Sequence, residues 1–81
     1  TAIPAAMAAA KALAQAGVTD AVRLRDAAVA VLTTQPALKL QYCEIVDLET
    51  MAPVASTAGL RCAIAIACHL GASRLIVNAD L

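Results

Sequence analysis

The sequence predicts an α+β domain in which two N-terminal helices pack on a small three-stranded, mainly antiparallel sheet. Alanine-rich segments with apolar residues at helical spacing fill the first part of the 81-residue chain. Short segments of alternating or β-branched residues, separated by turn residues, fill the rest. Helices that precede the strands, instead of alternating with them, indicate a two-layer domain, and this length is enough for one domain only.

The first predicted helix runs from Thr1 to Ala16. Pro4 suits a first helical position, Gly17 suits the residue just past the end, and alanine favours a helix because it loses no side-chain entropy. Lys11 is its only charged residue, so we expect this helix to be buried on more than one side. The apolar residues at helical spacing are Ile3, Met7, Ala10, Leu13 and Ala14.

The second predicted helix follows a short link. Thr19 is its predicted N-cap, and Asp20 in the first turn complements the positive end of the helix dipole. Pro36 disfavours a helical residue before it, so the helix ends at residues 33–35. The apolar face consists of Val22, Leu24, Ala28, Val29, Val31 and Leu32.

The first predicted strand covers residues 39–46. Regular alternation places Leu40, Tyr42, Glu44 and Val46 on one face, and Gln41, Cys43 and Ile45 on the other. Residues 47–54 are predicted to form a turn or a single helical turn, and residues 55–59 a loop of small residues.

The second predicted strand, residues 60–69, has two unlike faces. One is bulky and includes Ile64 and Ile66, while the other carries Ala63, Ala65 and Ala67. Because small side chains let a helix approach closely, we expect the helices to pack on the alanine side, with this strand in the centre of the sheet. A helix is the alternative for this alanine-rich segment.

A tight connection at residues 70–73 leads to the last predicted strand, Arg74 to Asn78.

The composition excludes several classes of protein. Six basic residues are scattered and balanced by six acidic ones, so we expect no nucleic-acid binding, which needs concentrated positive charge. The longest uncharged apolar run, residues 62–70, is too short to span a bilayer, and no signal peptide is recognisable. The three cysteines are odd in number and widely spaced, which favours buried, reduced thiols over a disulfide framework or a zinc site.

The sequence contains no recognisable catalytic motif. His69 is the only histidine, the three glycines are isolated, and nucleophile motifs are absent. Asp47 is predicted to form a turn by accepting a hydrogen bond from a backbone amide two residues on. Glu44 either lies on a face open to solvent or pairs with Arg61 or Arg74, and a structural ion pair is preferred to a catalytic role.

Two segments resemble the C-terminal part of the pantoate–beta-alanine ligase (pantothenate synthetase) family. They are YCEIVDLETMAPV at residues 42–54 and AIAIACHLGASRLIVN at residues 63–78. The family pattern is Tyr-x-Glu with two hydrophobic residues and Asp, a Thr-Leu-x-Pro-like segment, an apolar strand, Leu-Gly and Arg-Leu-Ile-Asp-Asn. Matching residues are Tyr42, Glu44, Asp47, Thr50, Met51, Pro53, Leu70, Gly71, Arg74, Leu75, Ile76 and Asn78. Val77 stands where the family usually has Asp, so no polar role is carried over to this position.

The resemblance implies a parent enzyme that joins pantoate to beta-alanine through a pantoyl-adenylate, with ATP and magnesium, and releases AMP and pyrophosphate. It places the nucleotide-binding fold, with His-Ile-Gly-His-like and Ser-Ser-Arg-Asn motifs, in an N-terminal half. Neither motif occurs here. Residues 1–81 therefore look like the C-terminal lid domain, which would shield a reactive intermediate from water.

Further expectations follow from this resemblance. The partner of these residues is the N-terminal nucleotide-binding domain, in a cytoplasmic and homodimeric parent, and the chain alone holds no cofactor or metal and is not catalytic. We assign no catalytic residue and keep Glu44, Asp47, Arg61, Arg74 and Asn78 as structural candidates. The alternative function is a free-standing interaction or oligomerisation module without enzymatic activity.

Overall fold

Two helices followed by three strands make up the computed structural model, which describes residues 2–81. The elements are α1 (Ala2–Gln15), α2 (Ala21–Leu32), β1 (Leu38–Asp47), β2 (Cys62–Leu70) and β3 (Ser73–Asp80). The strands form one antiparallel sheet in the order β1-β2-β3. The predicted α+β class and the central position of β2 are confirmed. Thr1, the first residue of the first predicted helix, lies outside the described residues.

The first helix ends as its sequence predicts. Gly17 has a φ of 97°, a left-handed conformation that costs glycine little because it has no Cβ. Its amide donates to the Ala14 carbonyl (3.1 Å), and the Val18 amide donates to the Leu13 carbonyl (3.0 Å). These two bonds form a Schellman motif, which satisfies carbonyl groups left free at the end of α1.

The N-cap of α2 is Asp20 and not Thr19, so that prediction is wrong by one residue. Asp20 has an extended backbone, and its carboxylate accepts a hydrogen bond from the Val22 amide at 3.0 Å. Thr19 instead uses its backbone carbonyl to accept a bond from the Thr57 amide at 2.9 Å. This contact ties the loop before β2 to the start of α2.

A bulge near the start of β1 changes which residues face the helices. Leu40 pairs with Cys68 and Tyr42 pairs with Ala67, so Gln41 is an extra residue without a partner. Leu40 packs against the core, whereas Tyr42 is exposed. The prediction that Leu40 shares a face with Tyr42 is therefore wrong, because one extra residue reverses the alternation on one side of it.

The helices pack on the bulky side of the sheet, which corrects the expectation that they cover the alanines. Ile64 and Ile66 of β2 are fully buried in one cluster with residues of both helices. The small residues that permit close approach lie on the helices, at Ala6, Ala10 and Ala28. Large side chains on the sheet bury more apolar area than alanine does, so this face provides the stronger hydrophobic contact.

The connection from β1 to β2 begins with the predicted turn. Asp47 accepts a hydrogen bond on its side chain from the Glu49 amide at 2.8 Å, as predicted. The chain then runs back along the outer edge of β1, where the Val54 amide donates to the Ile45 carbonyl at 3.0 Å. Part of this edge is thereby paired within the chain, and Met51 at the bend has a positive φ of 58°.

Candidate functional site

The side of the sheet that faces away from the helices is the candidate functional surface. Ala63, Ala65 and Ala67 of β2 lie on this side, since they alternate with the buried residues of the core cluster. Their cross-strand partners share the side with them. We call this surface the alanine face; its central residues are Tyr42, Glu44, Val46, Ala63, Ala65, Ala67, Ile76, Asn78 and Asp80.

A hydrogen bond across the sheet indicates that the alanine face is uncovered. The Arg74 guanidinium of β3 donates through Nε to the Gln41 side-chain oxygen of β1 at 2.9 Å, and both side chains are exposed. The bond therefore crosses the central strand from one edge to the other. Tyr42 and Ile76 flank Ala67 and are 38% and 55% exposed, respectively. The three alanines are buried because larger neighbours on the same face surround them, and not because a helix lies above them.

Charged residues are segregated along the alanine face. At one end the basic residues Lys39 and Arg74 lie on either side of His69 across the three strands, although they are far apart in the sequence. Glu44 and Asp80, both exposed, lie further along the strands. The face therefore has a cationic end and an acidic end, with an apolar centre around Tyr42 and Ile76.

The structure does not form the ion pair predicted for Glu44. Within residues 2–81 the salt bridge present is Arg25–Asp26, at 3.5 Å between two exposed side chains. Glu44 is exposed beside Ala65, and Asn78 is the residue on the other side of that alanine. Arg74 bonds Gln41 instead, because the bulge brings the Gln41 amide within its reach.

The remaining structural candidate, Arg61, contributes through its backbone. Its carbonyl accepts a hydrogen bond from the Leu48 amide at 2.9 Å, which closes the connection between β1 and β2. Its side chain is exposed. A structural role for each of the five candidates stays a prediction, although the turn formed by Asp47 has the predicted bond.

The cysteines are free and buried, as the sequence predicts. Burial raises the pKa of the Cys43 thiol above its ordinary value of 9.0; nearby Glu44 raises it further, and Arg25 partly offsets this. Burial also raises the pKa of Cys62, with a contribution from Asp47. Both thiols are protonated at neutral pH and are therefore poor nucleophiles.

Arg25 has a structural contact that sequence reasoning missed. Its Nε donates to the backbone carbonyl of Cys43 at 2.8 Å, and so fixes α2 against β1. The alternating pattern of β1 carries no signal for this bond, since the acceptor is a main-chain atom.

An apolar groove opens at one end of the molecule. It has a volume of about 450 Å³ and lies between the start of α1 and the ends of the strands. Its lining includes Ile3, Pro4, Leu38, Leu70 and Leu75. The groove offers hydrophobic contact area but no titratable side chain.

Two kinds of feature are absent from the described part of the chain. Residues 2–81 contain no group of three or more His, Cys, Asp or Glu side chains placed to share a metal ion. Within the same range, neither helix has the length and apolar character needed to cross a membrane.

Comparison with known proteins places the chain in a family. The sequence model described as Pantoate-beta-alanine ligase matches residues 1–80. A bifunctional pantoate ligase/cytidylate kinase from Synechococcus elongatus is 43% identical over 67 residues, which are 83% of this chain and 12% of that protein. A pantothenate synthetase from Koribacter versatilis is 42% identical over 66 residues, 82% of this chain and 22% of that protein.

Solved structures agree with this assignment. Two pantothenate synthetase structures from Thermus thermophilus match 98% of this chain and 28% of their own length, with TM-scores of 0.87 and 0.82. Their sequence identities are 22% and 26%, so the first supports the fold alone. The chain spans about a tenth to a quarter of the length of the curated relatives it matches. By its sequence and its fold, the chain belongs to the pantoate-beta-alanine ligase family.

Proposed function

We propose that residues 1–81 are the C-terminal lid domain of a ligase that condenses pantoate with beta-alanine. The observation that carries this proposal is the family match over residues 1–80, combined with the small share of each relative that the chain covers. A domain of this size in a longer enzyme is suited to move as one body over a site formed elsewhere.

The chemistry of the reaction explains why a lid is useful. The pantoate carboxylate first attacks ATP to form an acyl-adenylate and release pyrophosphate, and the amine of beta-alanine then displaces AMP to form the amide. Water competes with the amine for the same carbonyl carbon, so closing the site against water protects the intermediate. This role depends on shape and on a rigid sheet more than on a catalytic side chain of the lid.

ATP and magnesium are assigned to the rest of the ligase chain in this proposal. Residues 2–81 do not offer a cluster that fits a metal ion, and no residue of this chain is assigned to bind ATP or magnesium. The parent is proposed to be a cytoplasmic homodimer, as the family resemblance implies.

Product ratios in a hybrid enzyme test the lid role. This chain would replace the matching segment of the Koribacter versatilis pantothenate synthetase, and AMP and pantothenate would be measured with ATP, magnesium, pantoate and beta-alanine. We expect the chain alone to give no turnover, and the hybrid to release AMP and pantothenate in equal amounts. A hybrid that folds but releases AMP in large excess would leave the adenylate open to water and contradict the proposal.

The alternative, a free-standing interaction or oligomerisation module, makes a different prediction. In that case the chain alone forms a defined oligomer, and the hybrid has no ligase activity. Sedimentation equilibrium of the isolated chain measures the first property directly.

A further inference from the structure

We propose that the alanine face is the surface with which the lid docks on the catalytic part of its own ligase chain. This inference rests on the proposed function and adds the contact surface and the chemistry of its partner. The observations behind it are the open face, its area and its segregated charges.

The area of the face favours a tethered partner over a free one. Strands about 4.8 Å apart and about eight residues long, each rising about 3.3 Å, give roughly 370 Å² per side. The contact would therefore bury roughly 750 Å² in total, below the ~1,200–2,000 Å² of stable complexes between separate proteins. Contacts between domains of one chain bury about 600–1,500 Å², since the linker keeps the local concentration high.

The arrangement of charges specifies the partner surface. Acidic groups are expected opposite Lys39 and Arg74, and a basic group opposite Glu44. Apolar side chains fit the centre, where Tyr42 and Ile76 stand on either side of Ala67. Such complementarity sets the orientation of docking more than its strength.

The central residues of the face are small and are covered by the residues that flank them. Ala65 lies between Glu44 and Asn78, and Ala67 lies between Tyr42 and Ile76. Ala65 and Ala67 are only 7% and 0% exposed, so a partner would contact mainly the exposed side chains of β1 and β3 that flank them. A long charged side chain at residue 65 would push these flanking side chains apart without disturbing the buried side of the sheet.

Hydroxyl-radical footprinting of Tyr42, the only tyrosine in the chain, tests the contact directly. Oxidation of Tyr42 would be compared by mass spectrometry in the isolated chain and in the hybrid enzyme described above. We expect at least fivefold slower oxidation in the hybrid. Met51 is exposed and lies outside the alanine face, so its oxidation rate serves as the reference.

Two variants make the test specific. In the hybrid, Ala65→Arg and Arg74→Glu are each expected to restore Tyr42 oxidation to the rate of the isolated chain. The matched controls, Ala12→Arg and Arg23→Glu, lie at exposed helix positions and are expected to leave Tyr42 protected. The urea midpoint of the isolated chain reports folding of each variant separately.

Equal Tyr42 oxidation in the hybrid and the isolated chain would overturn the docking proposal. The lid function is tested separately by the ratio of AMP to pantothenate. An active hybrid with equal amounts of both products would therefore still support the lid function. Protection of Tyr42 that increases with the concentration of the isolated chain would assign the face to a second copy, and would also overturn the proposal.

Discussion

Substitutions on the two sides of β2 have opposite expected effects on stability. Ile64 has no exposed surface and lies in the cluster shared with the helices, whereas Ala65 is next to it on the alanine face. Ile64→Ala removes three carbon groups, each contributing about 0.8 kcal/mol when buried, which totals about 2.4 kcal/mol. The cavity left behind extends the expected range to about 2–5 kcal/mol.

This cost is large for so small a domain. A stability of about 0.05–0.15 kcal/mol per residue gives about 4–12 kcal/mol for this chain. A loss of about 2.4 kcal/mol lowers the melting temperature by roughly 10–19 °C in a domain of this size. Ile64→Val is the milder variant, with an expected cost of about 0.5–1.5 kcal/mol, and it stays measurable when Ile64→Ala unfolds.

Urea denaturation followed by circular dichroism measures these differences. Ala65 is flanked by the exposed side chains of Glu44 and Asn78, which can move aside for a larger residue, so we expect Ala65→Leu to change stability by no more than about 0.5 kcal/mol. Overpacking against a helix would instead cost about 1–3 kcal/mol. If Ala65→Leu lowers the free energy of unfolding by about 1–3 kcal/mol and Ile64→Ala lowers it by less than about 0.5 kcal/mol, the helices cover the alanine side. That result would refute the packing described above.

Three further predictions concern single interactions. Asp20→Ala should cost about 1 kcal/mol in urea denaturation because it removes the N-cap bond to α2, while Thr19→Ala should have little effect; equal losses would contradict the cap assignment. Glu44→Gln should change stability by less than about 0.5 kcal/mol, since no ion pair is lost, and a larger loss would indicate a partner for this carboxylate. Cys43 and Cys62 have raised folded pKa values, so the native state holds their protons to higher pH than the unfolded state. Their contribution to stability is thus present below the ordinary thiol pKa and is lost as pH rises above about 9. The urea midpoint of a Cys43→Ala, Cys62→Ala double variant should therefore fall less steeply above this pH than that of the wild-type chain. An unchanged dependence of the midpoint on pH would contradict the role of these two thiols.

Local signals in the sequence determined the order and type of the elements. Gly17, Asp47 and the alanine-rich helices act through their own backbone or immediate neighbours, and their predicted roles are found in the structure. The N-cap of α2 was predicted one residue too early. Thr19 and Asp20 are both good caps, and the bond between the Thr19 carbonyl and the distant Thr57 amide accompanies the choice of Asp20.

The family resemblance also came from short segments of the sequence. The strands carry its characteristic residues, and comparison with the ligase family confirmed it over residues 1–80. The alanine face, which is proposed above as the docking surface, was not contained in that pattern, because it combines residues of three strands whose register the sequence does not specify.

Tertiary structure decided which side of the sheet the helices cover. The sequence predicted the helices on the alanine side of β2, because small side chains permit close approach, and this prediction is wrong. Pairing the isoleucines with alanines on the helices buries large apolar area at close distance, so the small residues of β2 remain on the open side. The bulge at Gln41 then turns Leu40 inward and brings the Gln41 amide to Arg74. Both outcomes depend on contacts between residues distant in the chain, and for that physical reason the alternating pattern of a single strand did not predict them.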